Sequence, residues 1–91
     1  MRFMLDGAQI SDRSALHRAL AEGLRLPEWY GGNLDALYDC LTEIAQPTEI
    51  EIRNTRALAA ALGGYAMAFC RALADAEAEN DHLRVFLREA D

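Results

Sequence analysis

The sequence predicts an α/β fold: a three-stranded parallel sheet covered by about four helices. Three observations predict it. Thr48-Glu49-Ile50-Glu51-Ile52-Arg53 alternates polar and apolar, the pattern of a strand with one buried face. Leu34, Leu37, Leu41 and Ile44 recur at helical spacing and make a buried stripe. Short apolar segments near both ends, Phe3-Met4-Leu5 and Leu83 with Val85-Phe86-Leu87, are separated from the middle strand by helical stretches. Strands joined through helices pair in parallel.

The elements follow in the order β-α-α-β-α-α-β. The first strand ends at the turn pair Asp6-Gly7. Ser11 or Asp12 is placed to cap a helix whose apolar residues are Leu16, Leu20 and Leu24. Pro27-Glu28-Trp29-Tyr30-Gly31-Gly32 breaks that helix, and Asn33 caps a second one running to about Ala45. Gln46-Pro47 turns the chain into the alternating strand. Asn54-Thr55 caps a short alanine-rich helix that stops at Gly63-Gly64. A fourth helix spans about Tyr65 to Glu79, with Phe69, Cys70 and Leu73 on one side and Asn80 as its C-cap. No repeat, linker or low-complexity stretch interrupts this order, so a single domain over residues 1–91 is expected.

Composition narrows the function. The apolar content of 52% is enough for one core. No apolar run approaches the ~20 residues needed to span a bilayer. Met1-Arg2-Phe3-Met4 lacks the features of a signal peptide, so a cytoplasmic protein is expected, with Cys40 and Cys70 reduced and buried. Two cysteines and two histidines are not set at zinc spacing, and no cofactor is implied. The net charge of -6 argues against nucleic acid or an anionic membrane as a direct ligand. That charge lies wholly between Leu26 and Ile52, where Glu28, Asp35, Asp39, Glu43, Glu49 and Glu51 meet no Lys, Arg or His. So one-sided a field steers and orients a basic partner.

The second helix carries the sharpest signal. Opposite its apolar stripe stand Asp35, Tyr38, Asp39 and Thr42. Asp35 and Asp39 are one turn apart and repel by roughly 0.2–0.5 kcal/mol, which folding alone does not favour. Large aromatics beside acids at a loop–helix junction are what an interface hot spot needs, and Trp29 and Tyr30 supply them. For an enzymatic acid–base role of Asp35 and Asp39 the sequence implies no cleft and offers no nucleophile–base constellation. A divalent-cation site from Asp35, Asp39 and Asp75 lacks a ligand loop. His17, beside Leu16 and Leu20, reads as a packing or hydrogen-bonding residue, and His82 has no partner pattern. Asp75, Glu77, Glu79 and Asp81 form an acidic run at the end of the fourth helix, read as a solvated end or a further contact.

The stretch Leu24-x-Leu26-Pro27-Glu28-Trp29-Tyr30-Gly31-Gly32-Asn33-Leu34-Asp35-Ala36-Leu37-Tyr38-Asp39-Cys40-Leu41 resembles the barstar family, the intracellular inhibitors of the ribonuclease barnase. Leu16-His17, Asp6-Gly7 and the element order extend the likeness, which is strong over about the first 42 residues. The resemblance implies an inhibitor that plugs the active site of a basic, extracellular-type, barnase-like ribonuclease. Binding would be 1:1, and the free inhibitor monomeric. Asp39 stands where the family's carboxylate fills the enzyme's phosphate pocket, and Asp35 matches the acid that engages the guanine site. Trp29 takes the place of an aromatic that packs on the catalytic histidine. Gly31, Asn33, Tyr38 and Thr42 match further contacts, Tyr30 and Glu43 adjoin them, and Asp75 aligns with a glutamate on the fourth helix. The type member has tyrosine at the place of Trp29 and tryptophan at that of Tyr38. Glu43-Ile44 replaces a glycine-tryptophan pair, and Cys70 has no counterpart. The family's proline after the second helix follows a cis bond, a state Gln46-Pro47 is placed to share. A module binding a different basic protein is the alternative that the residues leave open.

Overall fold

The structure, a computed structural model, describes residues 1–90. Strand β1 is Arg2–Asp6, helix α1 Arg13–Gly23, helix α2 Leu34–Thr42, strand β2 Thr48–Arg53, helix α3 Thr55–Leu62, helix α4 Gly64–Glu79 and strand β3 Leu83–Leu87. A 3-10 turn, Gly7–Gln9, follows β1. The sheet is parallel with order β1-β2-β3, as the alternation of strands and helices predicts. Phe3 pairs with Ile50 and Ile50 with Val85; Leu5 pairs with Ile52 and Ile52 with Leu87. The pleat turns these residues to one side, where Phe3, Leu5, Ile50, Ile52 and Leu83 join Leu16, Leu20, Leu37, Leu41, Leu58, Phe69 and Leu73 in one core. Each helix contributes to that cluster, so all four lie on the same face of the sheet.

The other face is left open. Its cross-strand rows read Arg2–Glu49–Arg84 and Met4–Glu51–Phe86, with Met4 and Phe86 exposed. Glu51 is nevertheless only 3% exposed, because guanidinium groups close over it. Its carboxylate accepts from Arg2 at 2.9 Å and from Arg53 at 2.6 Å, and pairs with Arg88 at 3.2 Å. A buried carboxylate survives ionised only with such partners. The bonds from Arg53 and Arg2 hold its pKa down to about 2. This corrects the reading of residues 26–52 as one recognition surface: Glu49 and Glu51 belong to the back of the sheet. The acids left beside the loop and α2 are Glu28, Asp35, Asp39 and Glu43.

Helix termini refine the predicted boundaries. Asp12, rather than Ser11, caps α1, its Oδ1 accepting the Ala15 N–H at 2.7 Å. Asn54 sits at the start of α3 in a left-handed conformation (φ 55°) and makes no side-chain cap. Its amide instead donates to Asp6 Oδ1 at 2.8 Å, tying the exit of β2 to the exit of β1. Gly7 must be glycine there, since a Cβ would lie 2.4 Å from the Asn54 carbonyl oxygen. Helix α2 ends at Thr42, short of the expected Ala45. Asn80 explains the early stop: its side-chain amide donates to the Leu41 and Ile44 carbonyls, both at 2.9 Å. Gln46-Pro47 is trans, like every described peptide bond. Glu77 is not part of a solvated acidic end, for its carboxylate accepts the Val85 N–H at 2.6 Å and closes the edge of β3. Among the described residues no helix is long and apolar enough to cross a membrane.

Candidate functional site: an acidic loop and helix

The loop between α1 and α2 is held by its own backbone. Leu26 N–H donates to the Ala21 carbonyl and Tyr30 N–H to the Pro27 carbonyl, both at 3.0 Å. Gly32 turns through the left-handed region (φ 69°), and Asn33 then starts α2 by accepting the Ala36 N–H at 2.8 Å. The loop thus runs directly into a short helix capped at both ends, by Asn33 and by Asn80.

Helix α2 buries Leu37, Cys40 and Leu41 and half-buries Leu34, as the stripe predicts, and Ile44 extends the same packing just past the helix end. Asp35 and Asp39 stand exposed on its other side, and Glu43, just past its end, is exposed as well. Trp29 is 60% exposed, an unusual state for the largest apolar side chain in a chain with only one tryptophan. Gly31 and Asn33 are exposed beside it. Thr42 is half-buried, its hydroxyl donating to the Asp39 carbonyl at 3.0 Å. Tyr38 departs from the outward placement expected of it: it is partly buried and packs on the core. Asp75 is exposed on α4, the helix that backs α2.

Tyr30 also turns inward. Its hydroxyl is hydrogen-bonded to Nδ1 of His17, and Nε2 of the same ring meets the Tyr65 hydroxyl at 2.6 Å. His17 thus has the hydrogen-bonding role expected of it. Burial lowers its pKa, and burial with the neighbouring Tyr65 and Cys40 raises that of Tyr30. Burial first, then the Glu43 and Asp39 carboxylates, raises that of Cys40. Both Cys40 and Cys70 are free thiols; Cys40 is buried as expected, whereas Cys70 is only half-buried. Tyr65 and Asn80 are the residues that the sequence reading missed as parts of the site. Each acts from more than 30 residues away, and no local pattern marks such a pairing.

A pH dependence follows. His17 carries a folded pKa below its ordinary 6.5, so the unfolded chain binds the extra proton first. Stability is full above about pH 6.5 and falls as pH drops below it. Glu51, held down from 4.5 to about 2, adds a second loss that begins below about pH 4.5. Urea midpoints measured from pH 8 to pH 3 are expected to decline in these two stages. A flat profile across pH 6.5 would count against the burial of neutral His17.

A family model described as Barstar (barnase inhibitor) matches residues 1–88. The chain belongs to the barstar family. The match takes in every loop and helix residue described above. The barstar-family chain is also 31% identical, over 88 residues, to the Bacillus subtilis (strain 168) protein named "Putative ribonuclease inhibitor YrdF". That alignment covers 94% of this chain and 97% of the relative, so the likeness runs over nearly the whole of both.

Proposed function

We propose that this barstar-family protein is a stoichiometric inhibitor of a basic ribonuclease, with the surface of the α1–α2 loop and α2 as its plug. The observation that carries the reading is the exposed Trp29 beside the exposed pair Asp35 and Asp39 on a helix fixed at both ends. A carboxylate takes paired hydrogen bonds from arginine as a phosphate oxygen does, so Asp39 stands in for an RNA phosphate in the enzyme's active site. Asp35 engages the neighbouring basic groups. Trp29 packs on the enzyme's catalytic face, and Tyr30, Gly31, Asn33, Tyr38, Thr42 and Glu43 complete the contact, with Asp75 at its edge. Because α2 is already ordered, little conformational freedom is lost on docking. The role needs no cofactor and no catalysis by this chain. It suits a monomer acting 1:1 in the cytoplasm, where it protects cellular RNA.

The test is a titration of a small basic ribonuclease of the barnase type. Loss of activity should be linear up to one equivalent. Association should slow steeply between 50 and 500 mM salt, because opposite charges steer the encounter. An inert titration would leave a different basic protein as the partner, and salt-independent association would remove the steering argument.

A further inference from the structure

Three elements meet at the His17 ring. His17 comes from α1, Tyr30 from the loop, and Tyr65 from the first turn of α4. A neutral imidazole has one donor and one acceptor nitrogen, and here two tyrosine hydroxyls occupy both. Arg13 lies one helical turn before His17 on the same side of α1, and its guanidinium sits 4.1 Å from the centre of the Tyr65 ring. Helix α1 therefore grips Tyr65 twice, by the ring through Arg13 and by the hydroxyl through His17. These residues line a cleft of about 800 Å³ whose other wall is the loop itself, at Gly31, Gly32 and Asn33.

We infer that Tyr65 is a positioning residue for the binding loop, fixing Tyr30 through His17 although it lies outside the proposed contact surface. Without its hydroxyl, one nitrogen of a buried imidazole loses its partner, and the ring is free to turn away from Tyr30. Tyr30 anchors the second half of the loop to the body of the molecule, as Leu26 does the first, and Trp29 and Gly31 flank Tyr30 directly. The loop then samples conformations in which Trp29 is misplaced, and apparent affinity falls with the fraction of correctly placed loop. The consequence for affinity rests on the inhibitor reading; the positioning of the loop does not.

The experiment is Tyr65→Phe, which keeps the ring under Arg13 and removes only the hydroxyl. Leu83→Ala, in β3 beyond the far end of α4 from Tyr65, serves as a control that loosens the core. In the free protein, acrylamide quenching of Trp29 and exchange of the Tyr30 amide are expected to rise in Tyr65→Phe and stay unchanged in Leu83→Ala. Affinity for the ribonuclease should fall roughly three- to tenfold in Tyr65→Phe, with its salt dependence intact. Unchanged quenching and exchange would overturn the inference whether or not any ribonuclease binds. Equal changes in Leu83→Ala would also overturn it, whereas a loosened loop with full affinity would uphold the positioning and overturn its consequence for binding. A wild-type protein that fails to inhibit would sink the inhibitor reading alone, since the free-protein signals decide the positioning role by themselves.

Discussion

Asp39→Ala is expected to cost the complex with a basic ribonuclease about 2–5 kcal/mol, roughly 30-fold to a few thousandfold in Kd. The size follows from what is left behind: enzyme cations desolvated by the plug with no anion to face. Glu49→Ala should cost under about 0.5 kcal/mol, because Glu49 lies on the open back of the sheet and not beside α2. Glu77 is not a fair second control, since its carboxylate holds the Val85 N–H. Folding stability separates the affinity effect from damage to the fold. Asp39 is exposed and repels Asp35 one turn away, so its removal should leave the urea midpoint unchanged or slightly higher. Isothermal titration of the two variants at one salt concentration checks this. Equal losses would mean that diffuse charge, and not a phosphate-like anchor, does the binding.

Asn80→Ala should be the most damaging single change to the fold among the polar residues. It strips the part-buried Ile44 carbonyl of its side-chain donor and leaves the buried Leu41 carbonyl with a long contact from the Ile44 N–H at 3.4 Å, at about 1–3 kcal/mol for an acceptor left unsatisfied. The His82 N–H loses its acceptor as well. A loss of about 3 kcal/mol lowers Tm by about 12–24 °C in a domain of this size. Asn80→Asp separates the two roles, for it keeps an acceptor for His82 but removes both N–H donors and sets a carboxylate against two carbonyls. Its loss should equal or exceed that of alanine. Calorimetry that found Asn80→Ala within about 1 kcal/mol of wild type would show that the last turn of α2 does not depend on the clamp.

These two residues also mark how much the sequence disclosed. Asp39 was legible because everything that singles it out is local: the helical stripe opposite, the like charge one turn away, the aromatic loop just before. Strand β2 was legible for the same reason, its alternation spanning the observed Thr48–Arg53. Asn80 was read only as the end of its own helix, because its acceptors lie 36 and 39 residues earlier. The overestimated length of α2 is the same blindness, since Ile44 continues the apolar stripe and packs on the core without being helical. Glu51 looked like one more acid in an acidic run. Its burial depends on arginines from β1, β2 and the residue after β3, which only the parallel register brings together. Local chemistry is written in the order of residues, whereas charge neutralisation and capping across the sheet are not.

The double fastening of the α1–α2 loop and α2 has a consequence for the life of the nascent chain. Every acid of the proposed plug except Asp75 has been translated by residue 43, well before the two side chains that hold the plug in shape, Tyr65 and Asn80. A ribosome that stops early therefore releases a fragment with the loop and α2 acids but without their rigid mount. On the proposed inhibitor reading, such a fragment would forfeit the preordered helix and compete poorly with the finished chain for the enzyme.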